Sequence, residues 1–214
     1  ESKFYKQLAA AYDKAGFHYM GMLQNGTFRL ATANTNLKDL DAYKGLKIRT
    51  MSNKNHMAFW TAIGAEPTPL AFSELYFALQ SGTVNAEENA ADTIVTMNFN
   101  EVQKFLAPTN HVLYTNQLAM NKKAYESLDP AYQKALNQAV SEALKELAPK
   151  LGEIDKQNKE TLEKKGMTII KYDKSFYDQV LALDSVKALY KDINSQINGI
   201  GDVLMQELDA AAKK

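Results

Sequence analysis

Gly45-Leu46-Lys47-Ile48-Arg49-Thr50-Met51 reads as a short buried strand, and the segments around it decide the fold. Lys54–Gly64 follows as a helix with His56, Phe59, Trp60 and Ile63 on one side. Glu66-Pro67-Thr68-Pro69-Leu70 is then extended, because each proline pushes the residue before it out of helical backbone. Strand, helix and extended segment in that order are the building unit of an α/β protein with largely parallel sheets.

The alternation continues on both sides. Upstream, Ser2–Ala15 carries Phe4, Leu8, Ala11 and Tyr12 at helical spacing and stops at Gly16. Phe17–Leu23 and Thr27–Thr32 read as strands around Asn25-Gly26, either a hairpin turn or a crossing between domains. Leu37–Tyr43 is a polar connection. Downstream, Ser73 is the expected N-cap of a helix that ends at Gly82. Thr83–Asn89 and Phe105–Pro108 are extended, Ala91–Met97 is helical, and His111–Met120 is a strand. Asp129-Pro130 opens a long helix running to Lys165, with a kink expected near Pro149 and Gly152. Met167–Tyr172 is a strand, and Ser175–Lys191 and Ile200–Ala212 are helices. The long helix is too long for one compact layer, so it is expected to span two lobes. Trp60 is assigned to the core.

The 214 residues suffice for one large domain or two small ones. With 45% hydrophobic and 23% charged residues, the chain has the balance of an ordinary globular protein. Its 25 basic and 25 acidic side chains cancel, so it lacks the basic face that nucleic acid requires. The absence of cysteine excludes disulfides, thiolate metal sites and a cysteine nucleophile. The chain opens on a helical segment without a leader and is read as mature or truncated, so a missing leader does not argue for the cytoplasm.

Enzyme motifs are incomplete. His18, His56 and His111 have no metal-ligand spacing. Gly199-Ile200-Gly201 lacks the third glycine of a dinucleotide fingerprint, and the stretch from Asp192 has Ile197 and Val203 where a calcium loop needs glycine and glutamate. Glu87-Glu88 is a carboxylate pair, but neighbours on an extended segment point to opposite faces. One exposed and one structural glutamate is the expectation there, with an enzyme using Glu87 or Glu88 as the alternative. The mixed charges of Glu142, Lys145, Glu146 and Lys150 fit a solvated helix face better than a partner surface.

Arg29 and Arg49 stand out against a large excess of lysine, each on a predicted strand. A desolvated guanidinium needs a partner, and its rigid fork matches a carboxylate at two points. That acid is either internal to the protein or carried by a ligand, and the residues alone leave both open for each arginine.

Three stretches in order resemble the substrate-binding subunits of TRAP (tripartite ATP-independent periplasmic) transporters, the DctP-like family. They are Lys44-Gly-Leu-Lys-Ile-Arg49, Ala62-Ile-Gly-Ala-Glu-Pro-Thr-Pro-Leu-Ala-Phe-Ser-Glu-Leu-Tyr76, and Ala78-Leu-Gln-Ser-Gly-Thr-Val-Asn-Ala-Glu-Glu-Asn89. Glu101-Val-Gln-Lys-Phe105, Thr109-Asn-His111 and the helix after Leu128-Asp-Pro130 extend the similarity over nearly the whole chain. The resemblance implies an α/β, two-lobed clamshell like the periplasmic binding proteins. Here it would comprise the complete second lobe plus part of the first, the family's N-terminal part being absent. Residues 1–26 and 115–154 would be the remnant of lobe I, and 27–114 and 155–214 lobe II.

The resemblance further implies a periplasmic binding protein rather than an enzyme, a monomer when full length, without cofactor or metal. It would pass a small organic acid (dicarboxylate, keto acid, sugar acid or sialic acid) to the TRAP membrane subunits after the lobes close. By motif match Arg49 makes the main salt bridge to the substrate carboxylate, Arg29 a second contact, and Asn89 donates to a carboxylate oxygen. Phe72 is either a wall against the ligand's apolar side or a core aromatic; Ser52 and His111 are further candidates. The chain departs from the family's usual Asp-Gly-Gln-Glu-Asn-Pro by reading Asn85-Ala-Glu-Glu-Asn-Ala90, which bears on where Asn89 sits.

Overall fold

The computed structural model describes residues 2–23 and 27–212. In chain order the elements are α1 (Lys3–Lys14), β1 (Phe17–Leu23), β2 (Leu30–Ala33), β3 (Lys47–Thr50), α2 (Lys54–Ala62), β4 (Glu66–Pro69), α3 (Leu75–Gln80), β5 (Ala86–Asn89) and α4 (Ala91–Thr96). They continue with β6 (Phe105–Ala107), β7 (Asn116–Asn121), α5 (Lys122–Glu126), α6 (Pro130–Lys164), β8 (Thr168–Ile169), α7 (Lys174–Ala182), α8 (Asp184–Gln196) and α9 (Ile200–Ala212). Contacts divide them into two units, one from the described residues of 1–25, 115–151 and 192–214, the other from 26–114 and 152–191.

The second unit is built on a six-stranded sheet in the order β4-β3-β5-β2-β6-β8. β3 pairs parallel with β4 and β5, and β6 parallel with β8. The expectation of a largely parallel sheet is corrected at β2, which runs antiparallel to both β5 and β6. A strand's direction is fixed by its neighbours, which its own periodicity does not report. β4 forms the sheet edge and tolerates Pro67 and Pro69 for a geometric reason. Glu66 and Leu70 donate their N–H groups to the Leu46 and Thr50 carbonyls, so the odd positions face away from β3 and need no donor. Leu30, Leu75, Val84, Ile94, Phe99 and Leu162 share a buried cluster that packs the helices against this sheet. Trp60 and Tyr43 are fully buried as well.

In the first unit β1 and β7 form an antiparallel ribbon, with a register shift between Tyr19 and Gly21. β1 therefore pairs with a distant strand and not with β2; the Asn25-Gly26 turn itself lies outside the described residues. Residues 192–214, expected with lobe II, belong instead to this unit. The cause is local: α9 packs on α1, and the Glu207 carboxylate accepts from the Lys3 and Phe4 backbone N–H groups at 2.6 and 3.2 Å. Those N–H groups are orphans of the α1 N-terminus, so an acid there satisfies them and complements the helix dipole.

Other expectations shift in detail. α6 runs 35 residues through Pro149 as one helix, contributing to both units. Ser73 lies inside a 3₁₀ turn, Phe72–Glu74, and does not cap α3; the turn already supplies the helix entry. The expected helix Ser175–Lys191 is broken at Leu183, whose backbone is extended, giving α7 and α8. The expected strand His111–Met120 is paired as β7 only from Asn116, with β7 running on to Asn121, while Leu113 makes a single bridge to Phe28.

Candidate functional site

Most of the buried polar groups of the second unit lie on β2, β3 and β5, with Arg29, Gln103 and Thr109 in adjoining loops. Arg49, next to the last residue of β3, is 3% exposed. Its Nε and Nη2 donate to the Leu70 carbonyl oxygen at 3.1 and 2.9 Å. Two hydrogen bonds to one carbonyl engage a single edge of the guanidinium. The end-on fork formed by Nη1 and the second Nη2 proton is left without a partner among the described residues. The Phe72 ring lies 5.6 Å from Arg49 Cζ and stands edge-on to Phe99. Burial lowers the Arg49 pKa, and the charges of Glu87 and Glu88 oppose that shift without forming an ion pair. A guanidinium stays protonated in proteins, so the charge persists.

Arg29 is settled differently. Its Nε donates to Glu88 Oε2 at 2.5 Å and its Nη2 to Glu88 Oε1 at 2.9 Å, a two-point ion pair inside the protein. Nη2 also reaches the Glu88 carbonyl at 2.8 Å and Asn89 Oδ1 at 2.9 Å. On the far side of Glu88, His111 Nε2 lies 3.1 Å from Oε2 and His56 Nδ1 3.7 Å from Oε1. Since a carboxylate only accepts, His111 Nε2 carries the proton, and its Nδ1 accepts from Thr109 Oγ1 at 2.8 Å. Burial pushes the His111 pKa down and keeps the ring neutral, against the pull of Glu88. Burial also pushes Glu88 upward, but the hydrogen bonds from His111 and Arg29, the nearby His56 and the Arg29 charge together outweigh it. The Glu88 carboxyl is held well below the usual range.

Glu87 faces the other side of β5 and is also fully buried, which corrects the expectation that one glutamate of the pair is exposed. Thr32 Oγ1 lies 2.9 Å from its Oε1, and Asn89 Nδ2 donates to its Oε2 at 2.6 Å. Burial raises its pKa to about 7 against the effect of those hydrogen bonds, with the Glu88 charge adding to the rise and that of Arg29 opposing it.

With this geometry in view, the comparisons with known proteins converge. The family described as bacterial extracellular solute-binding protein, family 7 (DctP) matches residues 1–196. The chain belongs to that family. A solute-binding protein of Verminephrobacter eiseniae is 35% identical over 87% of this chain and 55% of its own length. The sialic acid-binding periplasmic protein SiaP of Vibrio cholerae is 32% identical over 81% of this chain and 52% of its own. Among solved structures, a TRAP periplasmic solute binding protein of Desulfovibrio salexigens with bound orotic acid superposes with a TM-score of 0.86 at 28% identity, covering 99% of this chain and 68% of that one. One from Shewanella oneidensis with bound succinate gives 0.83 at 25%, covering 94% and 66%. The α/β fold of this DctP-family chain is thus that of two-lobed binding proteins. The chain spans about half the length of the curated relatives it matches.

Of the residues singled out by sequence, Arg29 and His111 converge on Glu88, Asn89 links Arg29 to Glu87, and Arg49 and Phe72 lie together beside Leu70. Arg29, expected as a second substrate contact, has its Nε and Nη2 filled by protein acceptors, with Nη1 free of hydrogen bonds among the described residues. Asn89 is spent on Arg29 and Glu87. Phe72 is 41% exposed, so it combines packing on Phe99 with an open face. Ser52 lies exposed just past β3. The sequence reading missed Thr32, Gln103, His56 and the Leu70 carbonyl. A backbone acceptor leaves no residue signature, although Pro67 and Pro69 do signal an edge segment whose end is free to turn toward Arg49.

Proposed function

We propose that this chain is the ligand-binding part of the extracytoplasmic solute-binding subunit of a TRAP transporter. It would take a small organic acid by its carboxylate on Arg49 and present it to the membrane subunits. One observation carries the reading: Arg49 is a buried guanidinium that no carboxylate among the described residues grips, and its end-on fork has no partner among them. An unpaired buried charge is costly, and a ligand carboxylate seated on two parallel N–H groups relieves that cost. The open face of Phe72, packed over the same guanidinium, fits the apolar side of such a ligand. Arg29 enters as a subsidiary contact through Nη1, and the Arg29–Glu88–His111 cluster as the frame that fixes β5. The bound orotic acid and succinate of similar structures, and the sialic acid of the relative's name, all carry the carboxylate this reading requires.

The enzyme alternative finds no support, because Glu87 and Glu88 are both buried and committed to protein partners. Isothermal titration of the chain with succinate, orotate and sugar acids, each against its amide or alcohol analogue, tests the proposal. Saturable binding confined to the acids is expected; equal binding of the uncharged analogues, or none by the acids, overturns it.

A further inference from the structure

The interior beside β5 has one hydroxyl proton too few if Glu87 is ionised. Thr32 Oγ1 lies 2.9 Å from Glu87 Oε1 and 3.2 Å from Gln103 Oε1, yet a hydroxyl donates only once. The Gln103 amide cannot be turned to help. Its Nε2 donates to the Val102 carbonyl at 2.8 Å, and a flip would set two carbonyl oxygens against each other. With Glu87 as a carboxylate, one of the two contacts to Thr32 is therefore oxygen against oxygen with no proton between. Thr32, Glu87 and Gln103 are all at most 2% exposed, so bulk water does not resolve the conflict.

We infer that Glu87 is a neutral carboxylic acid whose proton starts a donor chain from Glu87 to Thr32, from Thr32 to Gln103 and from Gln103 to the Val102 carbonyl, and that its neutrality keeps Arg49 available to an acid ligand. The second half rests on the function proposed above. In this arrangement Glu87 Oε1 is the hydroxyl oxygen and Oε2 the acceptor for Asn89 Nδ2, so all four groups are satisfied. The charge pattern then closes. Arg29 is balanced by Glu88, His111 is neutral, and Arg49, the cross-strand neighbour of Glu87, feels the Glu88 charge without an ion-pair partner of its own. An ionised Glu87 would supply one beside Arg49 and compete electrostatically with a ligand carboxylate. The charged and titratable groups around this interior are Arg49 from β3, Arg29 from the approach to β2, Glu88 on β5 itself, and His56 and His111 beyond Glu88. The upward displacement of the Glu87 pKa that burial produces agrees with the hydrogen-bond count.

The test pairs the native chain with Glu87→Gln, in which an amide N–H replaces the acid O–H and the oxygen still accepts from Asn89. Urea midpoints are measured from about pH 5 to about pH 8.5, and carbon-13 NMR follows the glutamate carboxyl signal that the variant lacks. The variant keeps His56 and His111, so the difference between the two proteins isolates Glu87. The native midpoint is expected to fall relative to the variant as pH rises from about 5 to about 7 and to level off above that, and the missing carboxyl signal to titrate near 7. A signal titrating in the ordinary carboxylate range overturns the inference. So does a variant that is equally weakened at every pH or fails to fold, because an amide facing the donors of an ionised Glu87 would clash.

For the link to Arg49, succinate affinity of the native chain should weaken by up to ~10-fold per pH unit above the Glu87 pKa, and Glu87→Gln should lack that slope. Identical pH profiles in the two proteins overturn the link. If succinate binds neither protein at any pH, the proposed function fails while the NMR titration still decides the state of Glu87.

Discussion

Arg49 on β3 and Glu87 on β5 are register partners across the parallel pair, and no ion pair joins them. Glu87 is taken up by Thr32 and Asn89, and Arg49 by the Leu70 carbonyl. An arginine and a glutamate side by side in a protein interior would ordinarily neutralise each other. Here they are held apart by competing hydrogen bonds, and the neighbouring Arg29–Glu88 pair shows the ordinary outcome on the same strand. That contrast separates an arginine paired with an internal acid from one that is not.

Removing one member of the Arg29–Glu88 pair should be strongly destabilising, because the survivor is a buried charge without a partner. Arg29→Ala and Glu88→Ala are each expected to cost about 3–5 kcal/mol in urea denaturation. The double variant should cost clearly less than the sum of the two. Additive losses would show that the pair is not coupled.

Acid should destabilise the second unit through two groups with the same sign. Glu88 is held ionised in the folded state, so its contribution is present above the ordinary carboxylate range and is lost as pH falls through that range toward its lowered pKa. His111 is held neutral, so below its ordinary value of 6.5 the unfolded chain takes up the proton first, and stability falls further as pH drops. Denaturation of His111→Asn across this interval should show a shallower decline below pH 6.5 than the native chain, whatever its absolute stability.

Gly21 should not accept a side chain. Its φ is +152°, and a Cβ built there would lie 2.5 Å from Leu144 Cδ1. Gly21→Ala is expected to lose about 1–3 kcal/mol by overpacking and backbone strain, read as a lower thermal midpoint. Gly21→Ala combined with Leu144→Ala should recover the steric part only.

Arg49→Lys separates geometry from charge. An ammonium keeps the charge but cannot chelate the Leu70 carbonyl and present a two-point fork at the same time. Carboxylate affinity should fall at least ~10-fold, equivalent to about 1.4 kcal/mol, with smaller effect than Arg49→Ala. Titration calorimetry of both variants checks the order.

Much of the fold was legible because it is set locally. Phe17–Leu23 and Ile200–Ala212 have the bounds that periodicity gave, and Asp129-Pro130 starts α6 as a capping acid and an N-terminal proline should. What failed or stayed open was set by distant partners. β2 runs against its neighbours, α9 joins α1 through Glu207, and the choice between hairpin and crossing after β1 is decided by a pairing across nearly a hundred residues. The site follows the same rule. Both arginines could be picked out as buried and in need of acids. Which one finds its acid inside the protein depends on Glu88 lying 59 residues away, and no local pattern reports that. The protonation of Glu87 was equally hidden, since it follows from how Thr32 and Gln103 meet in space.

The chain contains two arginines, Arg29 and Arg49, so its guanidinium nitrogen-15 NMR spectrum should show two side-chain sets, with Arg49→Lys assigning one of them. Titrating succinate or orotate into the labelled chain is the direct test of the central claim. The Arg49 signals should shift and sharpen as the acid fills the end-on fork, while the Arg29 Nε–H signal stays locked on Glu88. Saturable binding of the acid with the Arg49 signals unmoved would contradict the account.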